Sequence, residues 1–308
     1  IYMFEGFEDG DVVSAVVNVK SIVKAKSKTK KDYIRLTLND GKNDVMAFIW
    51  DTHKIEFKEG DTVKVKGTLG FFNDKPKIDV SELTKSEQKI KLPSLSDDDI
   101  KDLTERFEKL KSLVDDEHFS DLLDSIFGAK SIWTAFTTAP AAKSNHQAYI
   151  GGLLEHSVEV AELCYSSYKL SPKNINLSLL ITGALLHDIG KIKEYSFETN
   201  FDRTTTGKLV GHTTLGVIII TKMLPDDFPS KKITEIVHML LSHHGKRDWG
   251  APVEPLMKEA VLVHLSDMFS CYGGRFDMVK EKSNKEWSDF DDTYKRAWYL
   301  FSSVNEEE

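Results

Sequence analysis

The sequence has little of what would anchor a chain in a membrane or cross-link it. It contains only two cysteines in 308 residues and no CxxC pair, which argues against a disulfide framework or a thiolate zinc site. A reducing cytoplasm is therefore the expected location. No apolar run reaches the roughly 18 residues that a membrane span needs. The first residues, IYMFEGFEDGD, lack a basic stretch followed by an apolar core, so we expect no signal peptide.

A uniformly basic surface is also missing, because the formal net charge is −8. This excludes a chain coated with positive charge for nucleic acid. Charge is nevertheless uneven along the sequence, and a local excess of lysine lies near the start. Its members are Lys20, Lys24, Lys26, Lys28, Lys30 and Lys31. With 40% hydrophobic residues in 308, the chain is expected to form two domains.

Residues 12–84 have the composition of short strands. The segment DYIRLTLND alternates polar and apolar residues, and the DGK that follows is a turn signal before NDVMAFIWD. Two more strand-like segments, EGDTVKVKGTLGFF and KPKIDVSELTK, meet at the turn sequence NDKP. Five short strands in about 75 residues predict a small barrel of the OB type. An SH3-like barrel is the competing interpretation.

From residue 98 onward the apolar period becomes helical. In IKDLTERFEKLKSLV, apolar residues recur at spacings of three and four. Further helical patterns cover 117–138, 150–168, 174–188, 211–224, 230–242, 254–273 and 285–303. The predicted fold is multidomain, with a small all-β OB-type barrel followed by an all-α helical bundle. The predicted boundaries are a barrel at 1–88, a linker with connecting helices at 89–135, and a helical domain with a C-terminal extension at 136–308.

Histidine is concentrated in the helical part, where eight of the ten histidines lie between 146 and 264. Five largely apolar segments carry metal-ligating side chains: GGLLEHSVEV, LLHDIGK, VGHTTLG, LSHHGK and VHLSDMF. Burying such groups is costly unless they are paired or bound to a metal. Imidazole and carboxylate are good ligands for divalent first-row metals. The candidate ligands are His156, His187, Asp188, His212, His243, His244 and Asp267.

The LLHDIGK segment indicates how one centre could use these groups. Adjacent helical residues diverge by about 100°, so His187 and Asp188 can straddle a metal pair with the carboxylate as the bridge. Lys191 lies three and four residues later, on the same face, and its ammonium can donate to a carboxylate or a phosphate. Asp188 and Lys191 are therefore the candidate catalytic residues. His264, three residues before Asp267, could support a ligand, but a core or surface role is favoured.

The order H…HD…H…HH…D, with HDIGK around the central pair, resembles the HD-domain superfamily of metal phosphohydrolases over about 146–270. More narrowly, NHQAYIGGLLEHSVEV, LLHDIGKIKEY, GHTTLG and LSHHG behind an OB-like domain resemble the YhaM family of bacterial 3′-to-5′ exoribonucleases. The resemblance implies an HD-type domain within 136–308. It assigns one metal to His156, His187, Asp188 and Asp267, and a second to His212, His243 and His244, with Asp188 bridging and Lys191 on the scissile phosphate.

The same resemblance implies a hydrolase that acts as a 3′-to-5′ exonuclease on single-stranded RNA, with single-stranded DNA as an alternative substrate. Metal-activated water would release nucleoside 5′-monophosphates. Two divalent ions are expected, and ligation by histidine and aspartate without thiolate favours Mn²⁺, with Fe²⁺, Co²⁺ and Mg²⁺ as alternatives. A homo-oligomer stays open, and no membrane partner is expected.

The barrel would hold the nucleic acid, because OB barrels combine a basic groove with stacking aromatic side chains. The candidate contacts are Lys24, Lys26, Lys28, Lys30, Lys31, Tyr33, Phe71 and Phe72. Consecutive strand residues point to opposite faces, so one of the two adjacent phenylalanines must face outward and could stack. The plain alternative is that the lysines are merely solvated and the aromatic residues fill the barrel.

Two other functions remain open from the sequence. An HD-domain phosphodiesterase acting on cyclic dinucleotides or nucleotides, with a regulatory barrel, would share the ligand order, although the chain lacks the GYP triplet of the HD-GYP family. A non-catalytic nucleic-acid-binding protein with a structural metal is the second alternative. The complete ligand set and Lys191 argue against it.

Overall fold

The chain forms two compact units in a computed structural model. The model describes residues 6–27, 29–41, 43–50, 56–72, 75–88, 90–143, 147–197, 200–281, 283 and 285–300. The first unit comprises Ile1–Pro93 with Phe197–Asn200, and the second comprises Ser94–Ser196 with Phe201–Glu308. The finer division into 1–88, 89–135 and 136–308 stays a prediction. None of the described helices has the length and apolar content needed to cross a bilayer.

The first unit is a closed five-stranded barrel. Its strands are β1 (Val12–Lys26), β2 (Asp32–Asn39), β3 (Asp44–Ile49), β4 (Thr62–Phe72) and β5 (Lys75–Lys85). The order around the barrel is β1-β2-β3-β5-β4, and β4 pairs with β1 to close it. Strands β3 and β5 run parallel, and the other neighbours are antiparallel. The predicted OB-type barrel is therefore confirmed.

Strand β1 closes the barrel because it pairs on both sides. Its first half pairs with β4 and its second half with β2, and the register shifts between Val19 and Ser21. A bulge of this kind bends a strand and increases its twist, as closure requires. Apolar side chains of one parity fill the interior, and they include Val17, Leu36 and Val65, each with no exposed surface. The side chains of the opposite parity point outward, and they include polar and aromatic groups.

The second unit is built from helices. They are α1 (Asp97–Lys111), α2 (Glu117–Phe127), α3 (Lys130–Thr138), α4 (Gly152–Leu170), α5 (Leu177–Leu186), α6 (Lys191–Glu194), α7 (Thr205–Val210), α8 (His212–Lys222), α9 (Ser230–Ser242) and α10 (Lys258–Lys280). The predicted helical class is confirmed, with the addition of two short antiparallel strands, β6 (Tyr195–Ser196) and β7 (Asp202–Arg203). Helix α5 packs against α4, α9 and α10 and is buried along nearly its whole length.

The helix predicted for 285–303 is wrong over the described residues 285–300. This segment instead folds back on itself through antiparallel bridges, which join Trp287 to Tyr299 and Asp291 to Arg296. Its aromatic rings pack on α10, with the rings of Tyr272 and Tyr294 4.4 Å apart. The spacing of its apolar residues favours a helix, but side-chain packing against α10 and hydrogen bonds to α10 stabilise the folded-back form instead.

Asp291 ties this segment to α10. Its carboxylate accepts hydrogen bonds from Nε of Arg275 at 2.8 Å, Nε1 of Trp298 at 3.0 Å and the backbone N–H of Thr293 at 2.9 Å. Burial opposes ionisation, but the hydrogen bonds from Arg275 and Trp298 outweigh it and hold the pKa of Asp291 well below its usual value. The ionised carboxylate is therefore part of the folded state.

Asp291→Asn is expected to lower the free energy of unfolding by about 2 kcal/mol at neutral pH, because Arg275 loses its ionic partner. A depressed folded-state pKa stabilises the protein above the unfolded carboxyl pKa of about 3.9. That contribution disappears as the pH falls through the lower, folded value. Urea unfolding from neutral pH to about pH 3 should show a shrinking difference between the two proteins.

Asp292→Asn is the matched control for this prediction, since the side chain of Asp292 is 91% exposed. It should change stability little at any pH. Equal effects of the two substitutions would contradict the role given to Asp291.

Candidate metal centre

Five segments of the second unit bring the predicted ligands into one buried pocket. The ligands are His156 in α4, His187 and Asp188 directly after α5, His212 at the start of α8, His243 and His244 directly after α9, and Asp267 in α10. All of them are buried except His244, which is partly exposed. The structure thus gathers all seven predicted ligand residues, although they are up to 111 positions apart in the sequence.

The first group of ligand atoms surrounds Nε2 of His156. This nitrogen lies 3.3 Å from Nε2 of His187, 3.3 Å from Oδ2 of Asp188 and 3.2 Å from Oδ1 of Asp267. Nε2 of His187 lies 3.3 Å from the same Oδ2 of Asp188. Nε2 of His156, Nε2 of His187 and one oxygen of Asp188 therefore converge on one point of the pocket, and Asp267 approaches this group beside His156.

The second group consists of His212, His243 and His244. Nε2 of His212 lies 3.1 Å from Nε2 of His244, and the rings of His243 and His244 are 4.3 Å apart. Oδ1 of Asp188 lies 3.4 Å from Nε2 of His212 and 3.6 Å from Nε2 of His243. Asp188 thus faces the first group with one oxygen and the second group with the other.

Hydrogen bonds behind two of the rings turn their Nε2 atoms inward. Nδ1 of His187 donates to the carbonyl oxygen of Ala184 at 2.7 Å, and Nδ1 of His243 donates to that of Leu240 at 2.8 Å. Because a carbonyl oxygen can only accept, each Nδ1 carries a proton, and Nε2 of each ring is the atom turned toward the pocket. Both residues follow the last turn of a helix, where such carbonyl groups lack a helical partner.

The histidines of the two groups differ in their protonation. Burial lowers the pKa of His156, but hydrogen bonds to Asp188 and Asp267 outweigh it and raise that pKa to about 9, so His156 holds a proton at neutral pH that a metal ion would displace. In the second group, burial and the neighbouring His212 lower the pKa of His244 to about 4, and burial holds that of His243 well below its usual value. His243 and His244 are therefore neutral, which is the form of imidazole that binds metals.

Asp188 provides the strongest test of whether these side chains fit a metal ion. Its Oδ1 is buried and has no hydrogen-bond partner among the described residues. An ionised oxygen in such a place is costly unless a cation neutralises it. The Nε2 atoms of His212 and His244, which face each other at 3.1 Å, likewise gain from a shared positive ion. The nitrogen and oxygen donors of both groups therefore fit divalent metal ions.

Lys191 reaches Asp188 through a turn rather than along one helix. Helix α5 ends at Leu186, a turn covers 187–190, and α6 begins at Lys191. Nζ of Lys191 lies 2.5 Å from Oδ2 of Asp188. Burial works against the charge of this lysine, but Asp188 outweighs it and raises the pKa of Lys191. A Cβ at Gly190 would collide with the carbonyl oxygen of His212, so glycine lets α8 approach the turn.

The predicted nucleic-acid contacts lie in the barrel unit. Lys24, Lys26 and Tyr33 line one groove of about 1140 Å³, together with Phe57 and Lys58. The other predicted residues fall elsewhere. Lys30 and Lys31 are exposed on the connection from β1 to β2, and Phe71 is 46% exposed in β4, whereas Lys28 and the side chain of Phe72 lie outside the described residues.

Tyr33 also belongs to a cluster of three aromatic rings on the outer face of β2 and at the end of β3. Its ring centre lies 5.2 Å from that of Trp50 and 6.0 Å from that of Phe48, and the last two rings are nearly parallel at 19°. Trp50 is 54% exposed and donates from Nε1 to Asp79. Phe48 and Trp50 were missing from the predicted contacts, although strand alternation already placed them on one face.

Residues 153–271 match the sequence profile of the HD domain family. The second unit contains an HD domain. Over most of its length the chain is also similar to curated proteins named 3′-5′ exoribonuclease YhaM. The protein from Geobacillus sp. (strain WCH70) is 28% identical over 289 residues, which cover 90% of this chain and 87% of that protein.

Two further relatives with the same name extend this similarity. The protein from Bacillus subtilis (strain 168) is 27% identical over 293 residues, 89% of this chain and 90% of its own. The one from Oceanobacillus iheyensis is 28% identical over 282 residues, 89% of this chain and 88% of its own. The resemblance inferred from the motifs is thereby confirmed. A solved chain of replication protein A bound to single-stranded DNA aligns over 27% of this chain at 20% identity, with a TM-score of 0.23, which is too low to establish a shared fold.

Three supporting residues of the HD domain were missed or undervalued in the sequence. The buried carboxylate of Glu194 accepts from Nδ1 of His212 at 2.9 Å and pairs with Nε of Arg203 at 3.2 Å. Ser270 lies 3.1 Å from Nδ1 of His156. His264, for which a core or surface role was favoured, donates from Nδ1 to the carbonyl oxygen of His243 at 2.7 Å. Glu194 gave no signal because it stands among lysines in KIKEY, which has the composition of a surface turn.

Glu194→Gln is expected to weaken divalent metal binding about 10–100-fold, because His212 loses the carboxylate that orients its ring. Calorimetric titration of the metal-free protein with Mn²⁺ would measure this. Arg203→Gln removes only the ion pair on the outer side of Glu194 and should have a much smaller effect. Glu108→Gln, at an exposed position of α1, serves as the control. Unchanged affinity in the Glu194 variant would show that the carboxylate does not support a ligand.

Proposed function

We propose that this chain is a metal-dependent 3′-to-5′ exoribonuclease that shortens single-stranded RNA and releases nucleoside 5′-monophosphates. The observation that carries this proposal is the pair of ligand groups joined through Asp188 inside an HD domain. The relatives named exoribonuclease resemble the chain over about nine-tenths of its length, barrel included. We extend their activity to this chain on that basis.

We assign two divalent ions to this centre. His156, His187, Asp188 and Asp267 would hold one, and His212, His243, His244 and the second oxygen of Asp188 would hold the other. Such ions polarise phosphoryl oxygens and lower the pKa of water, which is the chemistry that phosphodiester hydrolysis needs. Donor atoms that are only nitrogen and oxygen favour Mn²⁺, with Fe²⁺, Co²⁺ and Mg²⁺ as alternatives.

Lys191 is the residue of the chain that would contact the reacting phosphate. Its side chain is 14% exposed and stays charged beside Asp188. The ammonium group is therefore held at the pocket and is largely shielded from solvent. A charge-assisted hydrogen bond from Nζ to a non-bridging phosphate oxygen would strengthen as negative charge develops there. Asp188 would act by fixing the positions of the two ligand groups relative to each other.

The barrel would bind the single strand ahead of the cleaved end. Its groove presents Lys24, Lys26 and Lys58, and its outer face presents the three-ring cluster of Tyr33, Phe48 and Trp50. Basic side chains next to stacked rings are typical of sequence-tolerant strand binding. A nucleic-acid substrate is compatible with the net charge of −8 because the lysines are concentrated in one place. Choice of RNA over DNA, self-assembly and a cytoplasmic location remain predictions from the sequence.

A phosphodiesterase for cyclic dinucleotides is not favoured, because the relatives that match both units are named exoribonucleases. A purely structural metal site is also not favoured. It would leave unexplained a partly buried lysine paired with the carboxylate that joins the two ligand groups.

Asp188→Ala is expected to abolish hydrolysis while leaving RNA binding mostly intact, because it removes the ligand shared by both groups. A 5′-labelled single-stranded RNA incubated with metal-loaded protein should give a ladder of shortened labelled products with the wild type and none with the variant. Asp289→Ala, at a position that is 91% exposed, should retain full activity.

Metal analysis of the same preparations should find two ions per chain in the wild type. Turnover at the wild-type rate in the Asp188 variant would refute the proposed centre. Cleavage only at internal positions, or only of cyclic dinucleotides, would refute the exonuclease.

Trp50→Ala is expected to weaken binding of single-stranded RNA about tenfold, since it removes one stacking surface. It should leave hydrolysis of a small chromogenic phosphodiester unchanged, because that substrate has no strand for the barrel to bind. Fluorescence anisotropy with labelled RNA measures the first effect. Phe71→Ala tests the sequence-based prediction in the same assay. Equal losses on RNA and on the small substrate would contradict a separate binding role for the barrel.

A further inference from the structure

The loop that follows His244 has the sequence GKRDWG and is held firmly against the ligand residues. Residues Arg247–Trp249 form a single 3-10 turn, closed by a hydrogen bond from the N–H of Trp249 to the carbonyl oxygen of Lys246 at 3.0 Å. Gly245 has a φ of +80°, and a Cβ there would collide with the ring of His264. Glycine therefore allows the loop to turn sharply directly beyond the candidate metal ligands.

Trp249 is exposed although its surroundings orient it. The residue is 49% exposed, yet its ring lies 6.2 Å from the ring of His264, which in turn donates to the carbonyl oxygen of His243. Nζ of Lys246 lies 4.7 Å from the centre of the Trp249 ring. An indole ring with one cation over it is a surface on which a nucleobase can stack.

Charge around the loop favours a nucleotide over an apolar ligand. Lys246 and Arg247 are exposed and adjacent in a chain that is acidic overall. A pocket of about 530 Å³ lies beside them and is lined by Gly245, Lys246, Arg247, Asp248, Glu254, Pro255 and His264. Its two carboxylates would repel a phosphate but can accept hydrogen bonds from ribose hydroxyls and base amino groups. The cationic side chains suit the phosphates on either side of such a nucleoside.

We propose that Trp249 stacks on the base of a nucleotide next to the scissile phosphate, with Lys246 and Arg247 on the neighbouring backbone. This inference rests on the proposed exoribonuclease function and adds a substrate-binding surface close to the metal centre. Stacking discriminates little between bases, because every base offers a π face. That tolerance suits an enzyme that must accept each successive residue at a 3′ end.

A trinucleotide RNA tests the proposal, because so short a substrate depends on contacts near the cleaved end. Trp249→Ala should lower kcat/KM for the trinucleotide about tenfold, mainly through a higher KM. Trp249→Phe should restore most of the loss. The metal content of the protein should stay at its wild-type value. Trp287→Ala, at a tryptophan that is 54% exposed elsewhere in the same unit, is the matched control and should change none of these readings.

Abasic substrates separate stacking from a structural effect. Two trinucleotides are compared with the intact one, each lacking the base on one side of the cleaved bond. If Trp249 stacks on a base, removing that base slows the wild type, and Trp249→Ala then causes no further loss on that substrate. A full additional loss on both abasic substrates would overturn the proposal.

The inference fails separately from the proposed function. A wild type that does not shorten RNA refutes the exoribonuclease. A wild type that does shorten RNA, while Trp249→Ala behaves like wild type on the trinucleotide, refutes only the stacking site. A variant that loses metal, or loses activity equally on the intact and both abasic trinucleotides, shows that Trp249 is structural or serves to dock a partner, and this also overturns the proposal.

Discussion

The carboxylate of Asp188 is the interaction on which the candidate centre depends. One of its oxygens lies 3.3 Å from two imidazole nitrogens and 2.5 Å from Lys191, and the other faces His212 and His243. An ionised carboxylate with only 2% of its side chain exposed requires compensating positive charge. Lys191 supplies one charge, and the free Oδ1 indicates where a bound cation would supply more. Side chains from three other segments, His156, His212 and His243, therefore surround this single group.

The helices of the HD domain make that convergence rigid. Helix α5 is buried between three others, so the residues directly after it are delivered at a fixed place. Backbone carbonyl groups at the ends of α5 and α9 orient His187 and His243, and Glu194 and Ser270 do the same for His212 and His156. Ligands held by such partners need little reorganisation when a metal binds, which favours both affinity and a defined geometry.

The two units divide the chemistry of a nucleic-acid enzyme between them. The barrel carries the clustered lysines and a face of three aromatic rings, which suit the backbone and the bases of a single strand. The helical unit carries the nitrogen and oxygen donors, so bound metal ions rather than lysines would supply most of its positive charge. An acidic chain can therefore act on a polyanion without a basic surface overall.

Much of this protein could be inferred from the sequence alone. Strand alternation and the helical period were enough to predict the barrel, its five strands and the helical class. An element that is buried on one face has apolar residues at regular intervals in its sequence. The seven candidate ligand residues were recognisable because polar groups in apolar segments need a common explanation. Contacts between residues that are distant in the sequence produce no such regular pattern. Only the tertiary structure decided that Glu194 orients His212, that Phe48 and Trp50 join Tyr33, and that 285–300 packs as a folded-back segment around Asp291. Those outcomes depend on which distant side chains meet, and local spacing does not encode that.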